Sequence, residues 1–131
     1  INDRFGHLVG EKVLKAVADE IKNQIRSEDL LFRVGGEEFL ICIESESTTT
    51  VNKVGQRIMQ SVEQLELVVD CKVTLSIGVC SVAHATDTDD WLNKVDRSMY
   101  QAKNNGRNQI IKFRHAKNRM REKNKFCSQK V

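Results

Sequence analysis

Apolar side chains recur at helical spacing from Val9 to Arg26, with Val13, Leu14, Val17, Ala18, Ile21 and Ile25 on one side. That pattern predicts an amphipathic helix with one buried face. Two short apolar runs follow, Leu30-Leu31-Phe32 and Phe39-Leu40-Ile41, on either side of Gly35-Gly36-Glu37-Glu38. They read as strands joined at the paired glycines, because glycine takes positive φ at no steric cost and is favoured in tight hairpin turns. Ser47 to Thr50 offers N-cap candidates for a second helix, with Val51, Val54, Ile58, Val62 and Leu65 inward. Leu67–Val69 and Val73–Val82 read as strands. In the latter, Val73, Leu75, Ile77 and Val79 alternate with Thr74, Ser76 and Gly78, the period of a sheet with one face in the core. Asp89 or Asp90 opens a third helix with Leu92, Val95, Met99 and Ala102 inward, and Asn105-Gly106 ends it. Gln109–Phe113 is the last strand. This order predicts an α+β fold, an α/β sandwich in which helices flank a mostly antiparallel central sheet.

The length of 131 residues suits one domain, and 40% hydrophobic with 30% charged residues is a globular composition. No apolar run approaches the roughly 20 residues that span a bilayer, and no secretory signal is visible. A cytoplasmic location is expected, with membrane anchoring of a longer parent chain left open. The first residue is Ile1 rather than Met, which suggests a piece of a longer chain. Proline is absent, which suits uninterrupted helices. Cys42, Cys71, Cys80 and Cys127 show no C-x-x-C spacing and do not cluster with His7, His84 and His115. Buried, reduced thiols are therefore expected rather than zinc ligands.

The net charge of +3 hides an asymmetry: residues from Lys112 onward carry +7 and the rest −4. The tail after Phe113, with weak periodicity and many charges, is expected to be a frayed helix or disordered. Nucleic-acid contact through it is the weakest of the functions considered, and the acidic body argues against a nucleic-acid binder.

The chemistry concentrates at Gly35-Gly36-Glu37-Glu38. A turn there sets two carboxylates at one rim of a sheet, where their oxygens suit a hard cation such as Mg²⁺, which usually comes with a nucleotide phosphate.

The sequence resembles the GGDEF domain of bacterial diguanylate cyclases, enzymes that condense two GTP molecules into cyclic di-GMP and release two pyrophosphates. Four motifs in order carry the resemblance: Ile1-Asn2-Asp3 with Gly6-His7 and Gly10-Glu11; Gly35-Gly36-Glu37-Glu38-Phe39, the GGEEF form of the signature; Leu75-Ser76-Ile77-Gly78-Val79; and Asp96, Met99-Tyr100, Ala102-Lys103 and Gly106-Arg107-Asn108. The resemblance implies a nucleotidyl-cyclase, palm-like architecture over residues 1–113, followed by a basic extension over 114–131. It implies catalysis and metal binding (Mg²⁺ or Mn²⁺) at Glu37 with support from Glu38, close nucleotide approach at Gly35 and Gly36, and triphosphate contacts from Lys103 and Arg107. Asn2 and Glu11 fall where the family reads guanine. A carboxylate can accept from guanine N1–H and N2–H₂ together, but the family usually has Asp at the Glu11 position.

Arg26-Ser27-Glu28-Asp29 resembles the family's inhibitory RxxD site for cyclic di-GMP, with an i,i+3 surface ion pair as the plain alternative. Arg33 is expected to steady the hairpin or a neighbouring carboxylate, His7 to be structural, and Trp91 to anchor a helix. The implied partners are GTP, cyclic di-GMP as product and inhibitor, a second copy of the domain, and an upstream sensory or receiver domain. A non-catalytic module sensing cyclic di-GMP or GTP is the alternative. The family also has a strand upstream of Ile-Asn-Asp that carries a metal-binding Asp. This sequence starts after it, so a sheet lacking an interior strand is expected, and little turnover from the fragment alone.

Overall fold

The computed structural model describes residues 7–45, 47–66, 72–113 and 126–130. Asn2, the strand expected at Leu67–Val69, Cys71 and most of the tail lie outside them. The elements in chain order are α1 (His7–Gln24), β1 (Leu30–Arg33), β2 (Phe39–Glu44), α2 (Thr48–Glu63), β3 (Ile77–Ser81), a 3-10 turn (Val82–His84), α3 (Thr88–Asn104), β4 (Ile110–Lys112) and β5 (Phe126–Lys130). Local chemistry sets most of these limits. The Ser47 hydroxyl accepts from the Thr50 N–H at the start of α2, and the Asp87 carboxylate caps α3 through the Asp90 N–H. The end of α3 falls where Asn105-Gly106 predicts it, with Gly106 at φ 110 and the Arg107 N–H returning to the Ala102 carbonyl. That is a Schellman closure.

The five strands order as β1-β2-β5-β3-β4, with β3 and β4 parallel and the other pairs antiparallel. One hydrophobic core joins Val13, Val17 and Ile21 of α1, Val51, Ile58 and Val62 of α2, and Ile41, Ile43, Ile77 and Val79 of the sheet. Since neighbouring strand residues point to opposite faces, Gly78 turns to the other side, where α3 packs. A Cβ at Gly78 would overlap the backbone of Val95 and Met99. The Trp91 indole N–H, donating to the Cys80 carbonyl at 2.8 Å, ties α3 to the same strand.

Four expectations change. The strand read over Val73–Val82 covers only Ile77–Ser81, and every residue of it is buried, because helices cover both of its faces. Leu92, expected inward, is exposed, and Ser98 takes its place on the buried side of α3. The tail is not wholly irregular: Phe126–Lys130 forms β5. Nor does the sheet lack an interior strand, since β5 lies between β2 and β3 and pairs antiparallel with both. Without it, facing edges of β2 and β3 would carry unpaired N–H and C=O groups, which a folded interior rarely tolerates.

Candidate functional site

The loop Val34–Glu38 joins β1 to β2, closed by one hydrogen bond from the Val34 N–H to the Glu38 carbonyl. Gly35 and Gly36 do not adopt positive φ, contrary to the tight-turn expectation. The connection is longer than a two-residue turn, so the inversion of the chain is spread over ordinary backbone angles. The space beside Gly36 is open, with nothing within 4 Å of where its Cβ would be, whereas a Cβ at Gly35 would meet the Glu38 side chain at 3.7 Å. The two glycine carbonyls turn toward Arg33, which donates to Gly36 O at 2.7 Å and Gly35 O at 3.4 Å. The same guanidinium forks onto Glu11 of α1, at 3.2 Å to Oε2 and 3.1 Å to Oε1. Arg33 therefore steadies both the hairpin and a neighbouring carboxylate. Its hydrogen bond to Glu11 holds the guanidinium even more firmly protonated than usual.

At the far end of the chain, α3 closes into Gly106, Arg107 and Asn108, with φ of 110, 64 and 46. Left-handed backbone at two successive non-glycine residues is rare and costly, and such residues concentrate at functional sites. Lys103 lies one helical turn before, its ammonium 5.4 Å from the centre of the Tyr100 ring.

These two distant segments meet. A cavity of about 250 Å³ is lined by Glu37 from the hairpin loop and by Lys103 and Arg107 from the end of α3, with Val13, Leu14 and Phe39 among its apolar walls. A second cavity, about 550 Å³, lies between α1 and β1 and is lined by Glu11, Lys15, Lys22, Leu31 and Arg33. Leu14 and Phe39 border both. The larger one holds none of Glu37, Lys103 and Arg107, so the smaller one is the site the acidic and cationic groups share. Lys72, Thr74 and Ser76, which precede β3, also line it. Reading that segment as plain strand hid them; a lysine just before an apolar run was the available signal. Likewise Lys15 and Lys22, spaced for one side of α1, were not singled out.

Glu37 is exposed and Glu38 half-buried. Among the described residues no group of three or more His, Cys, Asp or Glu could hold a metal by itself. The donor set still fits Mg²⁺, which keeps several waters and is usually bound by one or two carboxylates plus substrate phosphates. Glu37 faces a cavity that also offers the cations Lys72, Lys103 and Arg107 to those phosphates.

Arg26 and Asp29 form a separate feature at the α1–β1 corner. The Arg26 guanidinium reaches Asp29 Oδ1 at 3.2 Å, Glu28 at 3.1 Å and the Glu44 carbonyl at 2.8 Å. The i,i+3 ion pair is thus formed. Asn2, expected at the guanine, lies outside the described residues.

By fold and site, the chain falls in the class of α+β domains that set an acidic hairpin against the cationic end of a helix across one cavity. A sequence model described as "Diguanylate cyclase, GGDEF domain" matches residues 1–109, and the chain belongs to that family. It is 38% identical over 117 residues to the probable diguanylate cyclase DgcT of Escherichia coli, covering 85% of this chain and 26% of that protein. It is 38% identical over 114 residues to diguanylate cyclase A of Treponema denticola, covering 84% and 31%. The chain therefore spans about a quarter to a third of the curated relatives it matches. Among solved structures, the GGDEF domain of YfiN (TpbB) from Pseudomonas aeruginosa superposes with a TM-score of 0.75 at 31% identity, covering 86% of this chain and 68% of that one. The active GGEEF domain of a Vibrio cholerae diguanylate cyclase gives 0.72 at 28% identity, covering 88% and 76%.

Proposed function

We propose that this domain condenses two GTP molecules into cyclic di-GMP, as part of a diguanylate cyclase. In each half-reaction a ribose 3′-oxygen bonds to the α-phosphorus of the other GTP. The bond from that phosphorus to the β-phosphate bridging oxygen breaks, pyrophosphate leaves and the hydroxyl proton is lost. Two half-reactions close the ring. The observation that carries this reading is the cavity shared by Glu37, Lys103 and Arg107.

Bound Mg²⁺ or Mn²⁺ would polarise phosphoryl oxygens and acidify the attacking hydroxyl. Glu37, with Glu38 beside it, would hold the metal. Lys103 meets the triphosphate as a point charge and Arg107 as a planar fork. Gly36 leaves space for the nucleotide against the backbone. Glu11 at the neighbouring cavity, with Asn2, reads the guanine edge. In phosphoryl transfer, such positioning and charge neutralisation carry most of the rate. Each domain holds one GTP, so two copies must face each other, and the enzyme acts as a homodimer. Arg26 serves as the arm of an inhibitory site for the product, with Asp29 beneath it. An input domain in the parent chain controls the cyclase. The roughly threefold greater length of the relatives supports this, as does the 35% identity to the response regulator PleD of Caulobacter vibrioides. A cytoplasmic site of action suits a GTP substrate, and no helix among the described residues is long and apolar enough to cross a membrane.

The test is full-length protein incubated with GTP and Mg²⁺, with product read by chromatography. Cyclic di-GMP is expected from the wild type. Glu37→Ala should lower its rate by about 10²–10³-fold, the scale for deleting a group that stabilises transition-state charge. No product from the wild type, or full rate in the variant, overturns the assignment.

A further inference from the structure

The Glu11–Arg33 contact joins two parts of the chain with different roles in the proposed reaction. Glu11 sits in the early turns of α1 and Arg33 at the last position of β1. The guanidinium spends one edge on both Glu11 oxygens and also reaches the carbonyls of Gly35 and Gly36. Both side chains are about two-fifths exposed. An ion pair that open to water contributes little to folding stability. Its consequence is geometric: a planar fork engaging a carboxylate fixes the plane of that carboxylate as well as its position. The anchor on the other side is main chain of the loop that carries Glu37, so the fork cannot swing without leaving two carbonyls.

The chemistry of the carboxylate leaves room for a second guest. A carboxylate offers about four acceptor sites, so the two bonds from Arg33 do not by themselves exhaust the acceptor capacity of Glu11 for a guanine edge. Glutamate needs such orientation, having one more rotatable bond than aspartate over which a free carboxylate would wander. The pair also borders the larger cavity, which adjoins the Glu37 cavity through Leu14 and Phe39.

We propose that Arg33 is a positioning residue for base selection: it clamps Glu11 onto the Gly35-Gly36 loop so that the carboxylate faces the N1–H and N2–H₂ of a purine whose phosphates lie at Glu37. This rests on Glu11 being the base reader. Arg33 itself touches neither base nor phosphate.

The test compares equilibrium binding of GTP with that of ITP, which lacks the 2-amino group, to the full-length protein with Ca²⁺ in place of Mg²⁺ to suppress turnover. The GTP-to-ITP affinity ratio cancels general losses of fold or phosphate binding. The wild type should prefer GTP. Arg33→Ala should lower the ratio about tenfold, the scale for losing one hydrogen bond to a charged group. Arg33→Lys, which keeps the charge and loses the fork, should also lower it, and supplies the measurement if Arg33→Ala does not fold. In a Glu11→Gln background, Arg33→Ala should change the ratio no further. An Arg33 variant with the wild-type ratio, or a further fall in the Glu11→Gln background, overturns the positioning role while leaving Glu11 as reader. A wild type with no preference for GTP overturns the base-reading assignment itself, and the clamp with it.

Discussion

Arg26 and Asp29 grip each other through both main chain and side chain. The Asp29 N–H donates to the Arg26 carbonyl at 3.0 Å, and the Arg26 N–H donates to Asp29 Oδ2 at 2.9 Å. The Arg26 guanidinium then reaches Asp29 Oδ1 at 3.2 Å. The two side chains are nevertheless unequal: that of Asp29 is 3% exposed and that of Arg26 56%. Asp29 is the internal acceptor of the corner, and Arg26 is its solvent-facing partner. Arg26→Ala should therefore weaken cyclic di-GMP binding by about tenfold or more, on the scale of a charged hydrogen bond. Asp29→Ala should lower the melting temperature as well, because it strips the Arg26 N–H of its acceptor. Calorimetry and thermal melts on the same preparations separate the two effects. Undiminished affinity in Arg26→Ala removes this corner as a product site.

The backbones of β3 and α3 approach closely at Gly78. The backbone of Val95 and Met99 occupies the space a side chain at Gly78 would need. Backbone cannot rotate away as a side-chain tip can, so Gly78→Ala has to push the helix off the strand. The expected cost is about 1–3 kcal/mol or more, read from urea denaturation. The displacement would also disturb Lys103 and Arg107, which lie at the end of the same helix. A variant as stable as the wild type would mean that α3 does not pack this closely on β3.

The place of β5 in the sheet can be tested at Ser128. Ser128 registers with Cys42 on one side and Cys80 on the other. Proline lacks an N–H and is confined in sheets to edges and bulges. Ser128→Pro should thus leave an orphaned partner inside the sheet and destabilise the domain by about 1–3 kcal/mol for each group left unpaired. If the denaturation midpoint does not move, the Phe126–Lys130 segment is not an interior strand.

A pH dependence follows from Asp90. A hydrogen bond from Lys94, at 2.9 Å, and one from the Thr86 N–H hold its carboxyl below the usual range. A depressed folded-state pKa stabilises at pH above the unfolded value, about 3.9 for Asp, and the benefit disappears as pH falls through the lower folded value. Asp90→Asn should accordingly melt below the wild type at neutral pH, with the gap closing toward pH 3. A gap that stays constant across that range would show that the carboxylate charge contributes nothing.

Much of this molecule is written locally. The three helices follow from the spacing of apolar residues such as Val13, Val17 and Ile21, and their limits from Ser47 and Gly106. The hairpin follows from two apolar runs around the glycines. These features depend on neighbours within a turn or two of chain, where side-chain period and capping chemistry act. The signature residues Glu37, Lys103 and Arg107 were visible for the same reason, as short motifs in order along the chain.

Other features waited for the folded chain. Phe126-Cys127-Ser128-Gln129-Lys130 has none of the continuous apolar character expected of a strand inside a sheet covered on both faces, yet it pairs between β2 and β3. Its place is set by two unpaired edges far away in sequence, which no window around the segment contains. Burial of β3 on both sides depends on α3 arriving from the opposite face, and ordinary φ at Gly35 and Gly36 on the length of the loop and its hold by Arg33. The meeting of Glu37 with Lys103 and Arg107, and of Glu11 with Arg33, arises only when helices and sheet pack, because side chains distant in the chain become neighbours through burial of the apolar faces between them.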